Sequence, residues 1–220
     1  MTECLSDEAE ARTFVASLPG VDADALARLD RLAALLGEEN SQQNLVSAAS
    51  LGEVWRRHIA DSAQLLLHVE TPLAGPWLDL GTGAGFPGLA IASLRPELDM
   101  VLVESRTRRI EWLTRAAAAL GLDRVRVLGS RLEQIETFSA AVISARAFAP
   151  LHRLLSLSAR FSTSDTIWLL PKGRSARDEV EMLTGWNHLF HVEQSKTDPE
   201  AGIVVGRLAS PSTGKKARSR

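Results

Sequence analysis

The sequence predicts a doubly wound α/β fold with an N-terminal helical extension. Three observations predict it. A buried strand, a glycine-rich turn and an apolar helical run follow one another without a break in WLDLGTGAGFPG and LAIASL, residues 77–94, the local plan of a nucleotide-type cofactor site. From Trp77 onward, short apolar runs alternate with helical stretches, as in a parallel sheet covered on both faces. The first 70 residues, in contrast, read as helical throughout.

Each element follows from its residues. Asp22 can cap a helix in which Leu26, Leu29, Leu32, Ala33 and Leu36 recur at a 3.6 period, with Gly37 as its expected end. After the polar loop EENSQQN, a second amphipathic helix is expected from about Leu51 to Val69, with Val54, Ile59, Ala63, Leu66 and Leu67 on one side. The turn TPLAGP leads into the sheet. Strands are expected at 76–80, 99–104, 124–129, 140–144 and 165–171, and helices at about 87–95, 107–120 and 148–160. Apolar runs near 187–193 and 202–208 read as a strand pair closing the sheet edge. The segment SPSTGKKARSR has four bases and one alanine as its only apolar residue, which predicts a disordered basic tail. The expected organisation is therefore a helical extension over 1–70, a cofactor-binding domain over 71–209 and a tail over 210–220.

Composition sets the broad class. A chain of 220 residues with 45% hydrophobic and 24% charged residues fits one soluble globular core with a small appendage. Its single cysteine, Cys4, cannot form an internal disulfide and fits a reducing compartment. No run approaches the roughly 20 apolar residues of a membrane span, and the acidic start MTECLSDEAEAR lacks the order of a signal peptide. A cytoplasmic protein with no membrane partner is expected. The net charge of -2 is uneven: residues 1–70 sum to -7 and residues 71–220 to +5. That asymmetry fits a basic face for nucleic acid and equally fits scattered surface charge.

Two cofactor classes compete for the glycine loop. Residues 83–88, GAGFPG, match the dinucleotide pattern G-x-G-x-x-G, whose helix N-terminus would hold a pyrophosphate. Residues 79–85, DLGTGAG, match D-x-G-x-G-x-G, a loop suited to S-adenosylmethionine. The acid Asp79 at the strand end suits an ammonium or sulfonium and would repel a pyrophosphate, which favours the methyl donor. Glu104, 23 residues after Gly81 and at the end of the apolar run MVLVE, would grip ribose hydroxyls in either class. The absent chemistry narrows the reaction. No Asn-Pro-Pro-aromatic or Asp-Pro-Pro-aromatic clamp for an exocyclic amine is present, and SARAFAPL follows the fourth strand instead. No cysteine nucleophile lies near the sheet. Methyl transfer to an atom with its own lone pair remains, and a ring nitrogen such as guanine N7 asks only for positioning.

Several motifs then occur in order. They are Asn44-Leu45, Arg57-His58-Ile59 with Asp61-Ser62, LGTGAGFPG, Glu104-Ser105 with Arg108-Arg109, Ser130-Arg131-Leu132-Glu133, Ser144 with Arg146-Ala147-Phe148, and Lys172-Gly173. With these the chain, over about residues 40–208, resembles the bacterial small-subunit (16S) ribosomal RNA guanine-N7 methyltransferases, the RsmG or GidB family. It departs from the family's pattern at Val46, Ala145 and Pro171. The resemblance implies a Rossmann-like class I S-adenosylmethionine-dependent methyltransferase sheet of seven strands, the last antiparallel, acting on guanine N7 in 16S ribosomal RNA or the small-subunit particle.

It also implies roles. Gly81, Gly83 and Gly85 line the methionine part of the donor, and Phe86 adds a contact. Asp79 and Glu104 belong to the same cofactor site, and Leu132 and Glu133 border the adenine. Arg146, leaving the fourth strand, holds the donor carboxylate or the target base, and so is both a catalytic and a cofactor-binding candidate. Lys172, at the end of the fifth strand, is the second catalytic candidate and meets an RNA phosphate. Arg57 and His58 meet the RNA from a helix folded over the cleft; Asp61 can bond to His58 or pair with Arg57. Arg106, Arg108, Arg109, Arg124, Arg126 and Arg131 form a basic set that is either phosphate-binding or an ordinary solvated surface. No metal and no covalent intermediate are expected, and the protein is expected to be a monomer. A nicotinamide-dependent oxidoreductase and an RNA-binding module with a vestigial cofactor site stand as alternatives.

Overall fold

The computed structural model describes residues 4–209. The expected disordered tail at 210–220 lies outside the described residues. Seven strands form one sheet: β1 (Trp77–Leu80), β2 (Met100–Glu104), β3 (Val125–Gly129), β4 (Val142–Ala145), β5 (Ile167–Lys172), β6 (His191–Gln194) and β7 (Gly202–Gly206). Their order is β3-β2-β1-β4-β5-β7-β6. The pairs among β1 to β5 are parallel, and β7 runs antiparallel between β5 and β6. The sheet reverses its winding between β1 and β4, and in open α/β sheets ligands gather beyond the carboxyl ends of the strands at such a point.

The strand sequences explain their depth. WLDL, MVLVE and VISA are buried along their whole length, as strands covered on both faces must be. Successive side chains point to opposite faces. Trp77, Met100, Leu102 and Val142 join one apolar cluster, while Leu78, Leu80, Val101, Val103 and Ile143 join another. The first cluster also contains Leu29, Leu32, Leu36 and Ile59 of the N-terminal segment, so those helices cover one face of the sheet.

Four differences from the sequence reading have physical causes. The helix begun by Asp22 does not stop at Gly37 but runs through it, Ala23–Asn40, with Leu36 and Glu39 still on its buried side. An additional helix, Glu8–Ala16, is capped by Asp7 and buries Ala11 and Val15; its acidic residues mark a first helical turn. The single helix expected over 51–69 is broken into Ala48–Leu51, a π-helical stretch Trp55–Ala60, a short turn Asp61–Ala63 and a 3-10 stretch Gln64–His68. The Glu8 carboxylate accepts from the backbone N–H groups of Trp55 and Arg56, which anchors the start of the π stretch from another helix. Finally, the helix expected from 148 starts only at Leu151, after Pro150, because Ala147 holds a positive φ of 52°. The strand pair at the sheet edge forms as expected, with β6 outermost.

Candidate active site

Two cavities open at the carboxyl ends of the strands, and they share one wall, Ala147–Pro150. The first has a volume of about 570 Å³, with Gly81, Glu104, Leu132, Glu133 and Phe148 in its lining. The second has a volume of about 660 Å³, with Arg57, His58, Asp61, Arg146, Phe148 and Lys172 in its lining. Both volumes lie within the roughly 300–1,000 Å³ of small-molecule sites.

The first cavity is shaped by β1 and its loop. Gly81 has φ +63°, and a Cβ there would come within 2.4 Å of the Phe148 ring, so only glycine fits this close approach. Gly83 faces Arg109 and Gly85 packs under Leu89, and neither lines the two cavities. Below the loop, Trp77 Nε1 donates to Ser144 Oγ at 2.9 Å and that hydroxyl donates to Asp79 Oδ1 at 2.7 Å. The N–H of Gly88 donates to Asp79 Oδ2 at 3.0 Å. Asp79 is fully buried. Burial raises its pKa, and the hydrogen bonds from Ser144 and Gly88 and the charge of Arg146 oppose that rise. The expectation that Asp79 faces a cationic part of the donor is therefore corrected: both oxygens bind protein groups, and the carboxylate fastens the loop to β4 and to the helix start. Glu104 does reach the cavity. Its Oε1 accepts from the N–H groups of Ser105 and Arg106 at 2.7 and 2.9 Å, and its Oε2 lies 3.8 Å from Arg109 Nη1. Leu132 is buried and Glu133 exposed at the same rim.

The second cavity is assembled from distant segments. Arg146 leaves β4 and donates from Nη1 to the Arg57 carbonyl at 3.1 Å and to Asp61 Oδ2 at 3.2 Å. Its Nη2 lies 3.1 Å from His58 Nδ1. Arginine can only donate, so Nδ1 accepts and the ring proton sits on Nε2. That Nε2 is buried and has no partner among the described residues. Burial, with the charges of Arg146 and Arg57, lowers the His58 pKa to about 3, and the ring is neutral. His58 stacks on Phe86 with centroids 5.0 Å apart, and the Arg146 guanidinium lies 5.5 Å from the centre of the same ring. The expected pairings of Asp61 with His58 or Arg57 do not form; Arg146, Thr197 and Gln64 take its oxygens instead. Phe86 is buried beneath His58 and lines neither cavity.

Lys172 lines the second cavity from the end of β5. Its Nζ donates to the Ala149 carbonyl at 2.8 Å and to Glu179 Oε2 at 2.9 Å, so its charge is already matched. Burial works against the Glu179 charge, but Lys172, Ser175 and the Leu151 N–H outweigh it and lower that pKa. Arg146 and Lys172 do converge on one cleft. Within the basic set, Arg106, Arg109 and Arg131 border the first cavity, Arg124 pairs with Asp99, and Arg108 donates to the Gln42 carbonyl. The sequence reading gave no role to Phe148, Glu179 or the strained Ala147. Phe148 was within reach, as it stands in the motif leaving β4. Among the described residues no three His, Cys, Asp or Glu side chains gather into a metal-holding group, and no helix is long and apolar enough to cross a membrane.

Strand order and a glycine-loop cavity at the β1/β4 reversal fit the Rossmann-like fold of class I methyltransferases. Solved structures share the fold. A TehB-like SAM-dependent methyltransferase from Corynebacterium glutamicum aligns with TM-score 0.56 at 16% identity, over 80% of this chain and 98% of that one. The cofactor-bound Rv0187 from MTB aligns with TM-score 0.61 at 15% identity, over 93% and 99%. Sequence narrows the class. Residues 25–199 match the GidB family, described as rRNA small subunit methyltransferase G. Proteins named Ribosomal RNA small subunit methyltransferase G are 57% identical over 207 residues in Novosphingobium aromaticivorans, covering 93% of this chain and 90% of that one. The protein of that name in Erythrobacter litoralis is 57% identical over 204 residues, covering 92% and 97%. This chain belongs to the rRNA small subunit methyltransferase G family.

Proposed function

We infer that this protein transfers the methyl group of S-adenosylmethionine to N7 of a guanine in 16S ribosomal RNA. Family membership carries the reading, because the matched span of residues 25–199 contains Arg57, His58, Gly81, Glu104, Arg146 and Lys172. The residues of the first cavity suit the donor. The Glu104 carboxylate at the end of β2 can accept from a ribose diol, Leu132 and Glu133 form an edge for the adenine, and bare Gly81 admits backbone contact. When bound, the donor supplies a methyl group activated by a sulfonium charge.

The protein's own residues do the rest by position. Guanine N7 carries its lone pair, so no side chain needs to remove a proton, and alignment is the main device. The target enters the second cavity, whose wall it shares with the first. There Arg146 offers N–H groups to the O6 acceptor of guanine, which leaves the N7 lone pair free for the methyl group, or to the donor carboxylate. Arg57 contributes positive charge at the mouth, and His58 keeps Arg146 in its pose. Lys172 acts through Ala149 and Glu179 to hold the shared wall. The protein works as a cytoplasmic monomer, without metal, on the RNA or the small-subunit particle. Mass mapping of small-subunit rRNA tests the reading. Cells lacking the protein should lose one 7-methylguanosine, restored by the parent gene and not by Gly81→Val. Unchanged rRNA would refute it.

A further inference from the structure

The wall between the two cavities holds one aromatic side chain. Phe148 lines both of them, and it is the one six-membered ring in either lining. The other aromatic ring there, His58, is already stacked on Phe86 and bonded to Arg146. Phe148 is half-buried: it packs against the apolar cluster on this face of the sheet, and it lines both cavities. Its backbone is held at a cost. Ala147, just before it, has φ +52°, a conformation that non-glycine residues rarely adopt and that clusters at functional sites. On the donor side, Gly81 lacks a side chain where the Phe148 ring lies. The fold thus sets one flat apolar ring at the junction of two cavities, by means of a strained residue and a bare one.

A base that receives a methyl group from a donor in the first cavity must lie at this junction. Single bases splayed from RNA are commonly held on aromatic faces. We propose that Phe148 is the stacking platform for the target purine, a positioning residue that sets the base plane against the donor while Arg146 addresses its edge. The proposal rests on the methyl-transfer reading above and adds the residue that orients the base.

The test compares Phe148→Leu, which keeps apolar bulk but has no π face, with Phe148→Tyr and Phe148→Trp, which keep one. Single-turnover transfer from labelled S-adenosylmethionine to small-subunit particles is measured at saturating donor, beside donor affinity without RNA and the melting temperature. Stacking on a base is strong enough that its loss should slow Phe148→Leu about ten- to a hundredfold. Donor affinity and melting temperature should match the parent, and Tyr or Trp should recover most of the rate. A Phe148→Leu rate equal to the parent's overturns the proposal. So does weaker donor binding in Phe148→Leu without RNA, which would make the ring a donor wall only, or a Phe148→Tyr variant as slow as Phe148→Leu. If the parent itself transfers no methyl group to the particle, the functional reading fails, which is a different outcome from any of these.

Discussion

Around the first cavity the shaping contacts run between adjacent strands. Asp79 and Ser144 face each other in register on β1 and β4, and Glu104 caps the N–H groups of the two residues that follow it. Around the second cavity the contacts join segments far apart in the chain. Arg146 reaches Arg57, His58 and Asp61 across 89, 88 and 85 positions, and Thr197 reaches Asp61 across 136. One side is set by local motif and sheet register. The other exists only because an N-terminal segment docks on the exits of β4 and β5. The first should therefore respond to substitution through the fold of one loop, the second through alignment between parts.

The largest effect should come from the donor side. Asp79→Ala leaves the Ser144 hydroxyl and Gly88 N–H without their acceptor, and each buried unpaired group costs about 1–3 kcal/mol. Denaturant melting should show about 3 kcal/mol lost, and calorimetry should show no S-adenosylmethionine binding. A variant that binds the donor like the parent would remove the basis for treating this network as the frame of the loop. Next is Arg146→Ala on the opposite side, where about a hundredfold loss in single-turnover rate should accompany a small change in donor affinity. If donor affinity falls as far as the rate, Arg146 belongs to the donor cavity and the two regions are less separate than drawn.

Lys172→Ala sharpens the contrast further. The observed pair with Glu179 predicts a loss of about 1–3 kcal/mol in stability with an unchanged salt slope for RNA binding. A slope reduced by about one counterion would instead mean that Lys172 leaves Glu179 for a phosphate. The smallest effect concerns His58. Its folded pKa of about 3 lies below its ordinary value of 6.5, so the unfolded chain binds the extra proton first on acidification. Its contribution to stability is full above pH 6.5 and declines as pH falls toward 3. Urea titrations at stepped pH should show less acid sensitivity in His58→Asn than in the parent. His58 should add no inflection to the rate profile between about pH 5 and 8.

The same contrast explains what the sequence disclosed. The strands, the glycine loop and Glu104 were legible because short continuous apolar runs and turn chemistry are local signals. Arg146, Lys172 and the Arg57–His58 face were found as residues, but their partners were not. Whether Lys172 meets a phosphate or Glu179 depends on how the loop after β5 folds back toward the Ala149 carbonyl, and no spacing encodes that. The π stretch at Trp55–Ala60 was read as regular helix because its distinguishing contact, the Glu8 carboxylate on Trp55 and Arg56, comes from 47 and 48 residues away.

One strap ties the beginning of the described chain to its late hairpin. The Leu5 N–H donates to the Lys196 carbonyl at 2.7 Å, and Gln64 Oε1 accepts from the Lys196 N–H at 2.8 Å. Thr197, beside them, is the residue that bonds Asp61 beneath Arg146. During synthesis, the helices that carry Arg57 and His58 emerge first and their fastening emerges last. A nascent chain halted before β6 can make the β1 loop and its carboxylate frame, but it has no hairpin to hold the opposite side of the cleft. This side of the cleft is therefore fastened only once translation has reached the final strands.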